Sequence, residues 1–308
     1  MNVLIKNYIA ILMALCGVFS VSAQERHTAK WVEIPSVSKK DYTHEWTIHL
    51  NGGVSELRYF HGEDEKKPTD IGVAGGLDYT IFFTRQWGIT TGVEFALYNG
   101  TFSVPGNKNL QYKMTTNSGM PDDFYLNADI HDFKEKQHVT LLQIPFMARI
   151  QAPFSNRYFY FGAGLKAGIP IYSKWEQTYG SVTTYGHSAI TGQWYENMPE
   201  MGFGTYSSLE AEGEFELDIT YFLAFEAGLK LMLSSKSALY TSFYFDYALN
   251  NPFTVKDRRI LEYNYKQPLP SEYKFNSWLE SSVDAVPIKK WTAPLAVGVK
   301  IGIAFGAN

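Results

Sequence analysis

An all-β fold, an eight-stranded antiparallel up-and-down barrel that crosses a membrane, is predicted by three observations. Apolar and polar residues alternate along eight segments, so each segment can form a strand with one apolar and one polar face. Short turns alternate with long polar connections between these segments. After the N-terminal leader, the chain has no apolar stretch long enough for a membrane helix. Together these features are typical of a barrel with a lipid-facing exterior and a polar interior.

The segment Tyr158–Ile169 shows the alternation most clearly. Phe159, Phe161 and Leu165 lie on its apolar face, whereas Lys166 lies on the opposite face among glycines and tyrosines. A soluble secreted barrel or sandwich is the alternative, because its strands alternate in the same way. The predicted strands are Trp46–Ser55, Ile71–Phe83, Trp87–Tyr98, Val139–Gln151, Tyr158–Ile169, Ile219–Leu233, Ala238–Leu249 and Trp291–Phe305.

The lengths of the connections predict an orientation. Three connections are short turns near residues 84–86, 152–157 and 234–237. They alternate with longer segments, of which three, at about 99–137, 170–218 and 250–290, are long and polar. Outer-membrane barrels combine short periplasmic turns with long extracellular loops, so we expect both termini on the periplasmic side.

The first residues predict export. Lys6 provides a positive charge, an apolar stretch follows, and Val21-Ser22-Ala23 matches a signal-peptide cleavage site. We therefore expect a signal peptide at 1–23, a periplasmic lead at 24–45 and an outer-membrane barrel at 46–308. The only cysteine, Cys16, lies in the predicted signal peptide. The net charge of -4 and the lack of a basic tract exclude a nucleic-acid partner.

Charged residues on the polar faces predict a network inside the barrel. Acids and bases balance there, and buried charges are tolerated when they are paired. We expect Lys166 and Glu226, on adjacent strands, to form one pair. A lumen plugged by such pairs is favoured over a narrow small-solute channel. The predicted network consists of Asp78, Glu94, Arg149, Lys166, Glu226, Lys230, Asp246 and Lys300.

The second long loop contains aromatic residues that suit contacts with a protein or a glycan. The alternative is that these side chains pack on neighbouring loops above the barrel. The candidate contact residues are Trp175, Tyr179, Tyr185, Trp194, Tyr195 and Phe203. This loop makes an unknown extracellular protein or glycan the expected ligand.

An enzyme is the other class to weigh, because barrels can hold a nucleophile and a base near the rim. The sequence has neither a G-x-S-x-G nor an H-E-x-x-H motif. His49 fits a polar lumen residue, and His131-Asp132 fits a polar loop better than a metal site. We predict no catalytic residue, cofactor or metal, and keep a lipid hydrolase as an alternative.

Three stretches resemble a known family: Leu142-Gln143-Ile144-Pro145-Phe146, Phe161-Gly162-Ala163-Gly164-Leu165 and Trp87-Gly88. They are similar to the outer-membrane β-barrels of Bacteroidota called PorT-like or OmpA-type. Many relatives carry a C-terminal peptidoglycan-binding domain, which we do not expect here because the chain ends at the barrel.

The last strand resembles the signal that the barrel-assembly machinery reads, with Lys300, Gly302 and Phe305 at its polar, glycine and aromatic positions. The expected partners are therefore this machinery, outer-membrane lipid and the unknown surface ligand. We expect a structural or surface-interaction protein. The resemblance also implies an alternative role, that of an accessory component of an envelope secretion or transport machine.

Overall fold

The computed structural model describes residues 43–59, 70–114, 124–154, 157–214, 216–253, 258–263, 273–283, 286–287 and 292–306. The predicted signal peptide (1–23) and all but the last three residues of the predicted lead (24–45) lie outside these ranges. Within them, no helix is both long and apolar enough to cross a membrane.

Strands dominate the described chain, with a short 3₁₀ helix at Pro199–Met201. In chain order the strands are β1 (Thr43–Tyr59), β2 (Ile71–Phe82), β3 (Trp87–Lys113), β4 (Phe124–Phe154), β5 (Arg157–Ser188), β6 (Trp194–Tyr195), β7 (Gly204–Gly213), β8 (Thr220–Met232), β9 (Ser237–Ala248), β10 (Leu261–Tyr263), β11 (Tyr273–Phe275), β12 (Ser282–Val283), β13 (Val286–Pro287) and β14 (Thr292–Phe305).

Eight of these strands close into a ring. Antiparallel pairing runs from β1 through β2, β3, β4, β5, β8, β9 and β14, and β14 pairs back with β1. Closure leaves this sheet without unpaired edges along the ring. The pairing confirms the predicted eight-stranded antiparallel barrel, and each predicted strand overlaps an observed one.

The two faces of the barrel strands differ as their alternation predicts. On β1, Trp46 and Leu50 are 50% and 73% exposed, whereas Thr47 and His49 between them are buried. Exposed large apolar residues continue around the ring. Along β3 they extend as far as Leu97. We call this belt of outward side chains the apolar band; it is the surface that lipid covers in a membrane barrel.

Strands β3, β4 and β5 continue well beyond the apolar band, which corrects the sequence prediction. The segments at about 99–137 and 170–218 were expected to be loops, but β3 pairs with β4 as far as Lys113, and β4 pairs with β5 as far as Ser188. Strand β7 then pairs with β5 in the same region. The outward residues there, such as Asn109 and Gln111, are exposed and polar. We call this continuation of the sheet the extension.

An apolar core fills the inner face of the extension. Phe102, Phe133 and Tyr179 are nearly inaccessible to solvent, and Trp278 packs against Phe133 with ring centroids 4.5 Å apart. Trp278 belongs to residues 276–281, all of which are buried. The predicted third loop, 250–290, is therefore partly a buried segment. The core is continuous with apolar residues at the extension end of the barrel, including Phe222.

Candidate functional site

The barrel interior holds the predicted charged residues close together. All eight are buried, from Lys230 at 1% exposure to Lys300 at 8%. They come from seven different strands, and each points inward because it lies out of phase with the apolar outward positions of its strand. Their contacts form three groups along the barrel.

The group nearest the extension is centred on Lys166. Its Nζ atom lies 3.1 Å from Glu94 Oε1 and 2.7 Å from Asp246 Oδ2. The predicted pairing of Lys166 with Glu226 is wrong. Glu226 lies opposite Gly162 in the β5–β8 register, which is about 13 Å along the strand from Lys166.

The middle group is centred on Glu226. Lys300 Nζ lies 3.3 Å from Glu226 Oε2 and 2.8 Å from Asp78 Oδ2, and Arg149 Nη2 lies 3.9 Å from Glu226 Oε2. Tyr160 also donates a hydrogen bond to the Glu226 carboxylate. Charge-assisted hydrogen bonds of this kind are stronger than neutral ones, so Glu226 is compensated from several sides.

The third group, at the end away from the extension, includes a residue that the sequence prediction missed. Glu45 is buried, pairs with Lys230, and accepts a hydrogen bond of 2.5 Å from Tyr240 Oη. Glu45 was assigned to the lead, but β1 begins at Thr43 and includes it. Its spacing of two residues from inward-facing Thr47 was the available signal.

His49 and Asn51 connect the Lys166 group, nearest the extension, with the middle group. His49 Nε2 lies 3.3 Å from Asp78 Oδ2, without the alignment of a hydrogen bond. Asn51 Nδ2 donates a hydrogen bond of 2.7 Å to Glu94 Oε2. The expected placement of His49 in the lumen agrees with its burial. The arrangement brings every inward carboxylate of the predicted network within 4 Å of a cationic side chain.

The predicted aromatic contact residues divide into two sets. Trp175, Tyr179 and Phe203 are buried at 5% exposure or less, so they are not available as a contact surface. Trp175 and Tyr179 face the inner core because β5 continues through them, and Phe203 stacks on Phe124. The alternative interpretation, packing above the barrel, holds for these three residues.

Trp194 and two tyrosines remain accessible at the rim. Trp194 is 52% exposed, and Tyr185 and Tyr195 are partly exposed. Tyr185 and Trp194 line an open cleft of about 630 Å³ together with Asp129, Glu196, Asn197 and Thr205. The cleft lies on the extension, between β4, β5, β7 and the residues that follow β6.

Glu135 is a buried acid of the extension that the sequence prediction also missed. Gln137 and Ser277 donate hydrogen bonds to its Oε1 atom at 2.6 and 2.7 Å, and Gln177 and the Trp278 backbone N–H donate to Oε2 at 2.7 and 2.9 Å. Glu135 lies among exposed lysines in the sequence, so its composition suggested a polar loop.

The residues of the expected assembly signal lie on β14. Lys300 faces the lumen, Phe305 is 51% exposed, and a side chain at Gly302 would meet Thr47 Cγ2 at 2.9 Å. Among the described residues, no group of three His, Cys, Asp or Glu side chains is placed to hold a metal ion. His131 and Asp132 lie in β4 on the extension.

Comparison with known proteins identifies the class of barrel. A family model described as "Outer membrane protein beta-barrel domain" matches residues 23–254. No protein of curated function matches the chain.

Solved structures that are similar to this chain at low identity include the following two. One is Ail, the attachment invasion locus protein of Yersinia pestis, in complex with the heparin analogue sucrose octasulfate; it has 11% identity, covers 85% of this chain and 98% of that chain, and gives a TM-score of 0.24. The other is the outer membrane protein OprG from Pseudomonas aeruginosa, with 14% identity, coverage of 86% and 94%, and a TM-score of 0.30. The family match, rather than these two likenesses, carries the assignment.

Proposed function

We propose, from the premise that this chain belongs to the outer membrane protein beta-barrel domain family, that it is a non-enzymatic barrel with a closed lumen and a surface-contact extension. The family places the barrel in the outer membrane, and the apolar band supplies the surface for lipid. The proposal therefore concerns what the lumen and the extension do there.

The single observation that carries the closed lumen is its set of buried ion pairs, which lie at successive levels along the barrel. The interior of an eight-stranded barrel is just wide enough for side chains to fill it. Here the contacts extend from Glu45–Lys230 at one end to Lys166–Asp246 at the other. A solute that entered would have to separate buried opposite charges, each of which is costly to leave unpaired.

The apolar core supports closure at the extension end. Tyr98 and Phe222 are buried there and stack with ring centroids 5.7 Å apart. Both belong to the apolar cluster that continues to Trp278 in the extension. A hydrated path through the barrel would have to pass this cluster as well as the charged groups.

Electrical recording in planar bilayers tests the closed lumen. We expect the purified full-length protein to show no sustained conductance, because the charged groups and the apolar core fill the path. Heat-modifiable migration of the same preparation on a gel is the control for a folded barrel. Steady openings on the nanosiemens scale from folded protein contradict the proposal.

The extension supports the surface-contact role, since it projects polar outward faces beyond the apolar band. We propose a glycan or protein ligand outside the cell, with the termini in the periplasm. The proposal also includes a signal peptide at 1–23 and a lead that ends before β1. It further includes insertion by the barrel-assembly machinery, which would read Lys300, Gly302 and Phe305. We also propose that this barrel is related to the PorT-like and OmpA-type barrels that its sequence resembles.

A further inference from the structure

We propose that the rim cleft beside Trp194 binds an uncharged saccharide, a proposal that rests on the surface-contact role of the extension. The cleft has a volume of about 630 Å³. Small-molecule sites commonly measure about 300 to 1,000 Å³. Size therefore admits a short oligosaccharide, and the lining determines its chemical class.

Aromatic rings form one side of the cleft. The Tyr185 and Trp194 rings lie 5.8 Å apart at an interplanar angle of 43°. His187 stacks against Trp194 at 4.3 Å and so fixes the orientation of the indole. A pyranose ring has an apolar C–H face that can cover exposed aromatic surface, while tyrosine and tryptophan supply rigid contact area at low entropic cost.

Polar groups of both kinds lie beside these rings. The carboxylates of Asp129 and Glu196 accept hydrogen bonds, and the Thr205 hydroxyl can both donate and accept. Saccharide hydroxyls are also donors and acceptors, so they match this mixture. An organic ammonium group accepts no hydrogen bond, so it leaves the hydroxyl and amide donors of the lining unused.

The sign of the charge excludes anionic saccharides. Asp129 and Glu196 are the charged side chains that line the cleft among the described residues. Burial and these two carboxylates, Asp129 more than Glu196, raise the pKa of the Tyr185 hydroxyl, so this tyrosine stays neutral beside them. A sulfated or uronic saccharide would bring like charge close to Asp129 and Glu196, which costs affinity.

The cleft is formed before any ligand binds. Asn109 Nδ2 donates to Asp129 Oδ1 at 2.7 Å and lies 3.2 Å from Tyr185 Oη, so one amide positions both groups. Next to Asn197, the loop is closed by a bridge between Met198 and Phe203. A site whose groups are already ordered loses little entropy on binding.

The loop that contains Gly202 is also held by contacts from other strands of the extension. The Gly202 carbonyl accepts hydrogen bonds from Thr184 Oγ1 at 2.8 Å and from Tyr273 Oη at 2.6 Å. Phe203 beside it is fully buried. These contacts hold the Glu196 side of the cleft against β5 and the segment that contains β11.

Titration calorimetry of the full-length protein tests the inference, in a detergent without a sugar headgroup. The probes are neutral trisaccharides of glucose, galactose, mannose and N-acetylglucosamine, with sucrose octasulfate and choline as charged comparisons. We expect saturable binding of at least one neutral trisaccharide and of neither charged probe. Trp194→Ala and Asp129→Asn should each weaken that binding by about tenfold or more, the effect of losing a contact to an aromatic or charged group.

Matched controls come from the same extension. Ile190→Ala removes an exposed apolar side chain near Trp194, and Glu210→Gln removes an exposed carboxylate of β7; both should leave binding unchanged. Failure of all four trisaccharides, binding of a charged probe instead, or equal binding by the Trp194 variant overturns the inference. Because binding is measured on purified protein, such a failure is separate from a failure of the bilayer test, and separate from a finding by cysteine labelling of intact cells that the extension does not face outward.

Discussion

Lys166 and Lys174 lie on the same strand, and each is held between two carboxylates. Lys166 contacts Glu94 and Asp246 with side chains that are 3–7% exposed. Lys174 contacts Glu176 at 3.0 Å and Glu212 at 2.7 Å, but these side chains are 29–70% exposed. The contacts are similar in length, so the difference between the two sites is their access to water.

Replacing Lys166 with methionine should destabilise the barrel strongly. Lys166→Met leaves Glu94 and Asp246 buried beside each other without the cation that compensates them. Removing one partner of a buried ion pair costs about 3–5 kcal/mol. Urea unfolding of the purified protein in micelles should therefore show a large decrease in the free energy of unfolding.

Lys174→Met is the matched control, since it removes the same charge from a similar pair of carboxylates in water. Exposed ion pairs contribute little to stability, and we expect no clear change in the unfolding midpoint. Equal midpoints for the two variants would show that the Lys166 group is hydrated, which contradicts the closed lumen.

At the scale of the structural elements, Glu135 attaches residues 276–281 to β4 and β5. It accepts hydrogen bonds from Ser277 and from the backbone of Trp278, while Gln177, on β5, bonds to both Glu135 and the Asn276 carbonyl. Trp278 then fills the space beside Phe133. One carboxylate thus positions the segment whose aromatic side chain completes the core.

Glu135→Gln should loosen this segment. The new amide has one acceptor oxygen in place of two, and its NH₂ group would face donors that have lost their partner. A buried donor without a partner costs about 1–3 kcal/mol. Limited proteolysis with mass spectrometry should then show faster cleavage within 258–283 than in the wild type. Glu210→Gln, an exposed change on β7, is the control and should leave the rate unchanged; unchanged cleavage in Glu135→Gln contradicts the attachment.

The same residue predicts a pH dependence. Burial raises the pKa of the Glu135 carboxyl above its ordinary value of 4.5, although Gln177, Trp278 and the other donors oppose this shift. The folded protein therefore holds this proton more tightly than the unfolded chain. Stability from this group should decrease as pH rises from about 4.5 through the folded pKa, and stay constant above it.

Chemical unfolding of the wild type and Glu135→Gln across pH 4 to 8 measures this effect, because glutamine does not titrate. We expect the stability advantage of the wild type to be largest at acidic pH and to decrease as pH rises. A difference that is constant across the range, or that increases with pH, contradicts the direction assigned to Glu135.

Alternation predicted the barrel strands but not the extension, for a physical reason. In the barrel the outer face is apolar, as at Trp46 and Ile48, so the strand period is clear in the sequence. In the extension the outer face meets water and carries residues such as Asn109 and Gln111, which have the composition of a loop. The inward alternation of Leu110 and Tyr112 was present but lay within this polar composition.

The partners of the lumen charges were harder to predict than their inward direction. Period two places Lys166 inside the barrel, but its partners Glu94 and Asp246 lie on β3 and β9, neither of which pairs with β5. Contacts across a barrel depend on strand tilt and stagger, which the sequence of a single strand does not contain. The rim cleft depends on the same long-range geometry.

At the scale of the whole molecule, the two ends of the barrel differ in kind. The tight turns beside Phe83 and Leu233 lie at one end, where Trp46 of β1 pairs with Phe305 of β14. The extension lies at the other end, beyond the apolar band. Because the band must lie in the lipid, one of these ends faces the periplasm and the other faces the outside.

Labelling of single cysteines in intact cells distinguishes the two orientations. The only cysteine of the chain is Cys16, in the predicted signal peptide, so Lys108→Cys on the extension and Lys236→Cys in the β8–β9 turn provide single reporters at exposed positions. If the extension faces outward, a membrane-impermeant maleimide should label the Lys108 variant on intact cells and the Lys236 variant only after permeabilisation. Both replaced lysines are exposed, so the substitutions should leave folding unchanged and the comparison reports orientation alone. The reverse labelling pattern would place the termini outside and remove the extension, with its rim cleft, from contact with extracellular ligands.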